Sequence, residues 1–204
     1  QPDVLALVDG VTSVGAMPIE MDRWGVDYYC TGSQKAMALP PGLAFGAASG
    51  RFLERADSQL DAGYYFSVKK LVSIARDCLP FATPAVSLLV ALECQVHRIA
   101  ASGGWTARWA RHLAMLDTLE RWVSARDDVQ FMAAPGARSP AISSLRLPAG
   151  TAHLDVLGAL FQRGYLVGGP LVNSHGSVIR IGHMGDLAPE HLTGLLTTLA
   201  EVLS

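Results

Sequence analysis

Two short, mainly apolar runs near the start, VLALV at residues 4–8 and VDYYC at residues 26–30, do most to restrict what this chain can fold into. Between them lies enough chain for a crossover with a short helix around PIEMDRWG, which is what two parallel neighbours need. A nearly all-apolar strand belongs inside a parallel sheet with both faces covered, so the first run is expected mid-sheet. It opens with no methionine and no preceding helix, and the chain is therefore expected to be part of a longer protein. A third run, LAFGAAS, begins at Leu43. The first fifty residues read as α/β.

From Pro84 the apolar period becomes helical, with Val86, Leu89, Val90 and Leu92 in one block and the Gly103-Gly104 pair as its stop. A second helix follows, because Trp105, Trp109, His112, Leu113, Leu116 and Leu119 recur at three and four residues, with both tryptophans expected in the packing. Beyond Arg126, strand candidates VQFMA, AISSLRL, YLVGG and SVIRIG alternate with helices over about 151–163 and 189–203. Pro189 lies in the first turn of the last helix, and Leu192, Leu195, Leu196, Leu199 and Leu203 lie on one face. This predicts a small α+β domain over 104–204 behind an α/β part over 1–103.

Composition excludes several classes. The formal charge is −2 with no basic run, which argues against nucleic acid and anionic lipid as partners. No apolar stretch reaches the roughly 18 residues of a membrane span, and no leader is legible. Cys30, Cys78 and Cys94 are odd in number and unpatterned, which fits neither a disulfide framework nor a zinc site and points to a reducing cytoplasm. The histidines show no metal-ligand spacing. At 50% hydrophobic and 17% charged residues the chain is more apolar than a typical independent domain, and the surplus is expected to meet a partner chain.

The chemistry gathers at strand ends. VDG closes the first run with Asp9, and TGSQK follows the second with Lys35, so a parallel pair would aim both into the crevice beyond the carboxyl ends. An Asp-Gly pair alone makes a turn, and a lone lysine is usually solvated. Here Gly32 and Ser33 let the backbone turn while Pro40, Pro41 and Gly42 restrict the conformations of the segment after the lysine. A fixed amine suits condensation with a carbonyl. In VIRIGHMG, Arg180 between two isoleucines needs either an acidic partner or a substrate carboxylate, and both readings stay open. His183, flanked by glycines, reads as a structural histidine bonded to backbone.

VDGVTSVGAMPIEMDRWGVDYYCTGSQKAMALPPGLAF, TPAVSLLVAL and VIRIGHMG, in this order, resemble the C-terminal part of class V, fold type I, pyridoxal-phosphate aminotransferases of the alanine/serine-glyoxylate group. The resemblance implies the end of a mostly parallel large domain followed by a small domain, pyridoxal 5'-phosphate as cofactor, a homodimer, and amino-group transfer between a small amino acid and a keto acid such as glyoxylate or pyruvate. Lys35 resembles the lysine that forms the Schiff base and shuttles the proton, and Asp9 the carboxylate at the pyridine nitrogen. Val11 stands where the family packs the ring face, and Ser33 and Gln34 where it places polar groups near the phosphate. Thr83 resembles a phosphate-binding threonine reaching in from a neighbouring subunit, and Arg180 the anchor of the substrate carboxylate. The family's N-terminal half is not in this sequence, so the stretch alone is expected to lack part of the phosphate site. Two other readings are kept: cysteine desulfurase or lyase chemistry on the same scaffold, against which Gln34 stands where those enzymes usually place a histidine and for which Cys78 is the least implausible of the three cysteines, and a non-catalytic fragment acting only in dimerisation.

Overall fold

The structure is a computed structural model that describes residues 3–59, 63–171 and 177–204. Its described elements are β1 (Leu7–Asp9), α1 (Met21–Trp24), β2 (Tyr28–Gly32), β3 (Ala44–Ala48), α2 (Gly50–Ser58), α3 (Val68–Arg76), α4 (Val86–Ala101), α5 (Gly104–Ser124), β4 (Gln130–Phe131), β5 (Ile142–Arg146), α6 (His153–Gln162), β6 (Val178–Gly182) and α7 (Pro189–Leu203). They fall into two compact units, Gln1–Val11 with Ile19–His97, and Thr12–Pro18 with Arg98–Ser204.

In the first unit β1 and β2 run parallel, joined by the crossover that holds α1, and β3 returns antiparallel against β2. Asp27 closes this arrangement. Its carboxylate accepts from the Ala6 amide at 2.8 Å, from the Ser49 hydroxyl at 2.9 Å and from Arg51 Nε at 2.9 Å. The Arg51 guanidinium, with these other donors, holds the carboxyl well below the usual carboxylate range. One side chain thus ties the entry of β1 to the exit of β3. The cover expected on both faces of β1 is not supplied by the described residues, since Val4 is 58% and Leu7 62% exposed.

Helices α2 and α3 begin at serine caps. Ser49 Oγ accepts from the Phe52 amide and Ser67 Oγ from the Lys70 amide. Helix α4 stops at Ala101, where Gly103 and Gly104 both take positive φ (93° and 74°), and α5 starts there. The covered side of α4 carries Leu88, Leu92 and Gln95, whereas Val86, Leu89 and Val90 from the expected block are exposed.

The second unit is an antiparallel sheet in the order β4-β5-β6, with α5, α6 and α7 packed on it. Leu145 and Ile179 sit opposite each other in register and join Met115, Leu119, Val156, Leu160, Leu192, Leu196 and Leu199 in one core. Strand alternation puts Arg180 on the other face from Ile179 and Ile181. YLVGG does not form a full strand. It contributes one isolated bridge, Gly168 with Arg180, because two glycines and Pro170 give a ladder little to propagate. The buried side of α5 differs from the expectation too: it carries Arg108, His112, Met115, Leu116, Leu119 and Val123, while Trp105 and Leu113 are exposed. The helix is turned so that Arg108 and His112 can hold the loop after β6.

Candidate active site

Parallel register sets Asp9 opposite Cys30, and Gly10 continues the pairing by donating to the Cys30 carbonyl at 2.7 Å. The carboxyl ends of β1 and β2 therefore share one sheet edge, with Asp9 at the end of β1 and Lys35 in the turn after β2. Gly10 is required there because a Cβ would meet the Tyr29 ring at 1.9 Å. Asp9 is exposed, and its Oδ1 accepts from the Val11 amide at 2.9 Å, which orients the carboxylate; Oδ2 has no partner among the described residues. Val11 follows, half-buried.

The lysine turn is held from inside and from above. Ser33 is fully buried; its hydroxyl donates to the Pro40 carbonyl at 2.7 Å and accepts from the Leu43 amide at 3.3 Å. The Ala38 amide closes a turn onto the Lys35 carbonyl at 2.9 Å, with Ala38 at φ 58°. The left-handed residue of this turn is thus an alanine rather than Gly32. The end of the exposed Gln34 side chain lies over Gly32, with Oε1 2.6 Å from where a Cβ would stand, so the glycine gives that side chain room to rest there. From α4, Gln95 Nε2 donates to the Met37 carbonyl at 3.0 Å, and a methyl of Leu88 lies against Gly42, whose φ of 139° favours glycine. Lys35 itself is half-buried, and its amine has no partner among the described residues. A pinned backbone carrying an unengaged amine is the arrangement that carbonyl condensation uses.

The other candidates are carried by other elements. Thr83 is exposed in the segment before α4, and Cys78 is exposed just past α3 with φ 53°. Arg180, on β6 of the second unit, donates Nε to the Gly169 carbonyl at 2.7 Å and meets no acidic side chain among the described residues. His183 is fully buried, with Nε2 2.9 Å from the Ser143 hydroxyl; burial first, and neighbouring His112 second, lower its pKa to about 4. Among the described residues no group of three or more His, Cys, Asp or Glu is placed to hold a metal ion, and no helix is long and apolar enough to cross a membrane.

A family model for aminotransferase class-V matches residues 1–168. The chain belongs to the aminotransferase class-V family. Within that family it is 35% identical over 196 residues to L-aspartate–glyoxylate aminotransferase of Paracoccus denitrificans, covering 95% of this chain and 49% of that protein. It is 32% identical over 204 residues to alanine–glyoxylate aminotransferase 1 of Saccharomyces cerevisiae, at 92% and 51%. The solved alanine–glyoxylate aminotransferase of Nostoc sp. superposes with a TM-score of 0.89 at 28% identity, over 98% of this chain and 54% of that one. The chain spans about half the length of the class-V relatives it matches.

Two residues that hold this part of the fold, Gln95 at the lysine turn and Asp27 between β1 and β3, are not legible as such in the sequence. Gln95 had a signal, being an uncharged polar residue on the same helical stripe as Leu88 and Leu92. Asp27 had a weaker one, an acid inside an otherwise apolar run.

Proposed function

We propose that this chain is the C-terminal part of a pyridoxal 5'-phosphate-dependent aminotransferase, with residues 1–103 completing the large domain and 104–204 forming the small one. It moves an amino group between a small amino acid and a keto acid, glyoxylate or pyruvate. The observation that carries this is the placement of Asp9 and Lys35 at the carboxyl ends of two parallel strands, one with an oxygen and the other with an amine that have no partner among the described residues. Glyoxylate as acceptor draws support from the names of the aspartate–, alanine– and serine–glyoxylate relatives.

These residues fit the cofactor. When bound, it supplies an aldehyde that condenses with amines and a protonated ring that draws electron density from the substrate's alpha carbon. Lys35 would hold it and, once displaced by substrate, take and return the alpha proton. Asp9, its Oδ1 fixed by the Val11 amide, would keep the ring nitrogen protonated. Val11 would pack on the ring. Gln34 would face the phosphate, with Ser33 acting through the loop it holds. Arg180 would take the substrate carboxylate as a bidentate partner.

The same reading makes the protein a homodimer in which Thr83 reaches the partner's phosphate. Support comes from the exposed Tyr64, Tyr65, Phe66, Leu79, Val86 and Val90, which form more apolar surface than a monomer needs. Three free cysteines support a cytoplasmic setting.

Borohydride reduction of a chain extended to the relatives' full length and incubated with the cofactor, followed by peptide mass mapping, tests the assignment. A pyridoxyl adduct on Lys35 is expected. An adduct absent, or placed on another lysine, overturns it.

A further inference from the structure

Asp186, in the loop after β6, stands among three arginines. Arg108 Nη1 donates to its Oδ1 at 2.8 Å, and Arg98, near the end of α4, pairs with its Oδ2. Arg111 donates to the carbonyls of Gly185 and Leu187 in the same loop. These four side chains line a recess of about 300 Å³ in the second unit, with the small Gly104 and Ala107 leaving space beside them.

The charges do not balance. Among the described residues that line the recess, three carry guanidiniums and one a carboxylate, an excess of two positive charges in the lining. Arg108 is almost fully buried, and burial, with Arg111 and Arg98 beside it, pushes its pKa down to about 10. Burial and Arg98 lower that of Arg111 as well. Holding the loop does not need all three, because Arg111 grips two of its carbonyls and His112 Nε2 accepts from the Gly185 amide at 3.1 Å. Arg98, with a side chain 61% exposed, adds little to stability as a surface pair, yet it adds repulsion. A second anion would remove that repulsion.

We propose that this recess binds a phosphate-type dianion, inorganic phosphate or the phosphate end of a monoester, between the guanidiniums of Arg98, Arg108 and Arg111. Charge fits, since a dianion cancels the excess left after Asp186. Shape fits too: planar guanidinium forks offer paired N–H donors to a tetrahedral oxyanion, and the volume admits a phosphate with room for a small ester. None of these residues belongs to the proposed cofactor set, so the inference stands whether or not that reading holds.

Calorimetric titration with inorganic phosphate, at ionic strength held constant with chloride, tests it. One saturable site per chain is expected. Arg98→Gln should weaken binding by about tenfold or more, the worth of a charge-assisted hydrogen bond. Arg98→Lys, which keeps the charge, should lose less. Glycerol 3-phosphate, run in parallel, separates the sources: tighter binding than phosphate assigns the site to a monoester, equal or weaker binding to the free ion. Binding that is absent, that is unchanged by Arg98→Gln, or that is lost instead in Gln34→Ala overturns the proposal. So does binding that disappears when the chain is extended to the relatives' length, because the protein would then supply its own anion.

Discussion

Gln95 Nε2 lies 3.0 Å from the carbonyl oxygen of Met37, two residues past Lys35, and both groups are buried. The bond couples a long helix to the turn that presents the amine. Gln95→Ala leaves a buried carbonyl with one donor fewer, a loss of about 1–3 kcal/mol. Hydrogen exchange of the peptide covering residues 33–42 should quicken about tenfold or more while exchange in α7 is unchanged. Equal exchange in both proteins would show that Gln95 does not restrain the turn.

Asp9→Ala removes the proposed partner of the ring nitrogen from an exposed strand end where, among the described residues, the side chain bonds the Val11 amide alone. Turnover by the full-length enzyme should fall by about a hundredfold or more, with the thermal midpoint nearly unchanged. Normal turnover would remove Asp9 from the chemistry.

Arg180 is held by the Gly169 carbonyl and has no acidic neighbour among the described residues. Arg180→Ala should raise KM about tenfold or more for both the amino acid and the keto acid, since both present a carboxylate. Unchanged KM values would return Arg180 to a structural role.

How much of the molecule is readable from its residues depends on whether the signal is local. The strand ends bearing Asp9 and Lys35, the Gly103-Gly104 break and the leucine face of α7 each come from a short window of residues, and the structure has each of them. Helix α5 shows the limit. Its period is legible, but which side turns inward depends on Asp186 and Gly185, more than seventy residues away, drawing Arg108 and His112 into the interior. Helices α2 and α3 have local signals in the caps Ser49 and Ser67, but no fully buried side chain to mark a face. That the Lys35 amine has no partner among the described residues cannot be read at all, since it depends on which groups the fold brings near.

Asp27 accepts from two separate segments, Ala6 before β1 and Ser49 with Arg51 after β3, and its pKa is depressed chiefly by Arg51. A carboxyl lowered on folding stabilises above its unfolded value, and that stability is lost as pH falls below the ordinary carboxylate range. Asp27→Asn should lower the thermal midpoint by several degrees at pH 7 and by progressively less below pH 4. An equal loss at both pH values would show that charge is not what Asp27 contributes.

The two buried histidines place a second pH dependence higher on the scale. His112 donates Nδ1–H to the Arg108 carbonyl at 2.8 Å and accepts at Nε2 from the Gly185 amide, so it is neutral: a protonated ring would turn a donor toward that N–H. Its pKa is lowered, chiefly by burial, and that of His183 is lowered to about 4. In the unfolded chain both titrate near the ordinary 6.5. Between about pH 6.5 and 4 the unfolded state therefore binds more protons than the folded one, and stability declines as pH falls through that window. Thermal melts from pH 7.5 to 4.5 should show a steady fall in midpoint, beginning above the range where Asp27 acts. His183→Gln, which can keep a hydrogen bond to Ser143, should flatten part of that slope, whereas a midpoint that does not move between pH 7 and 5 would mean that these rings do not titrate on unfolding.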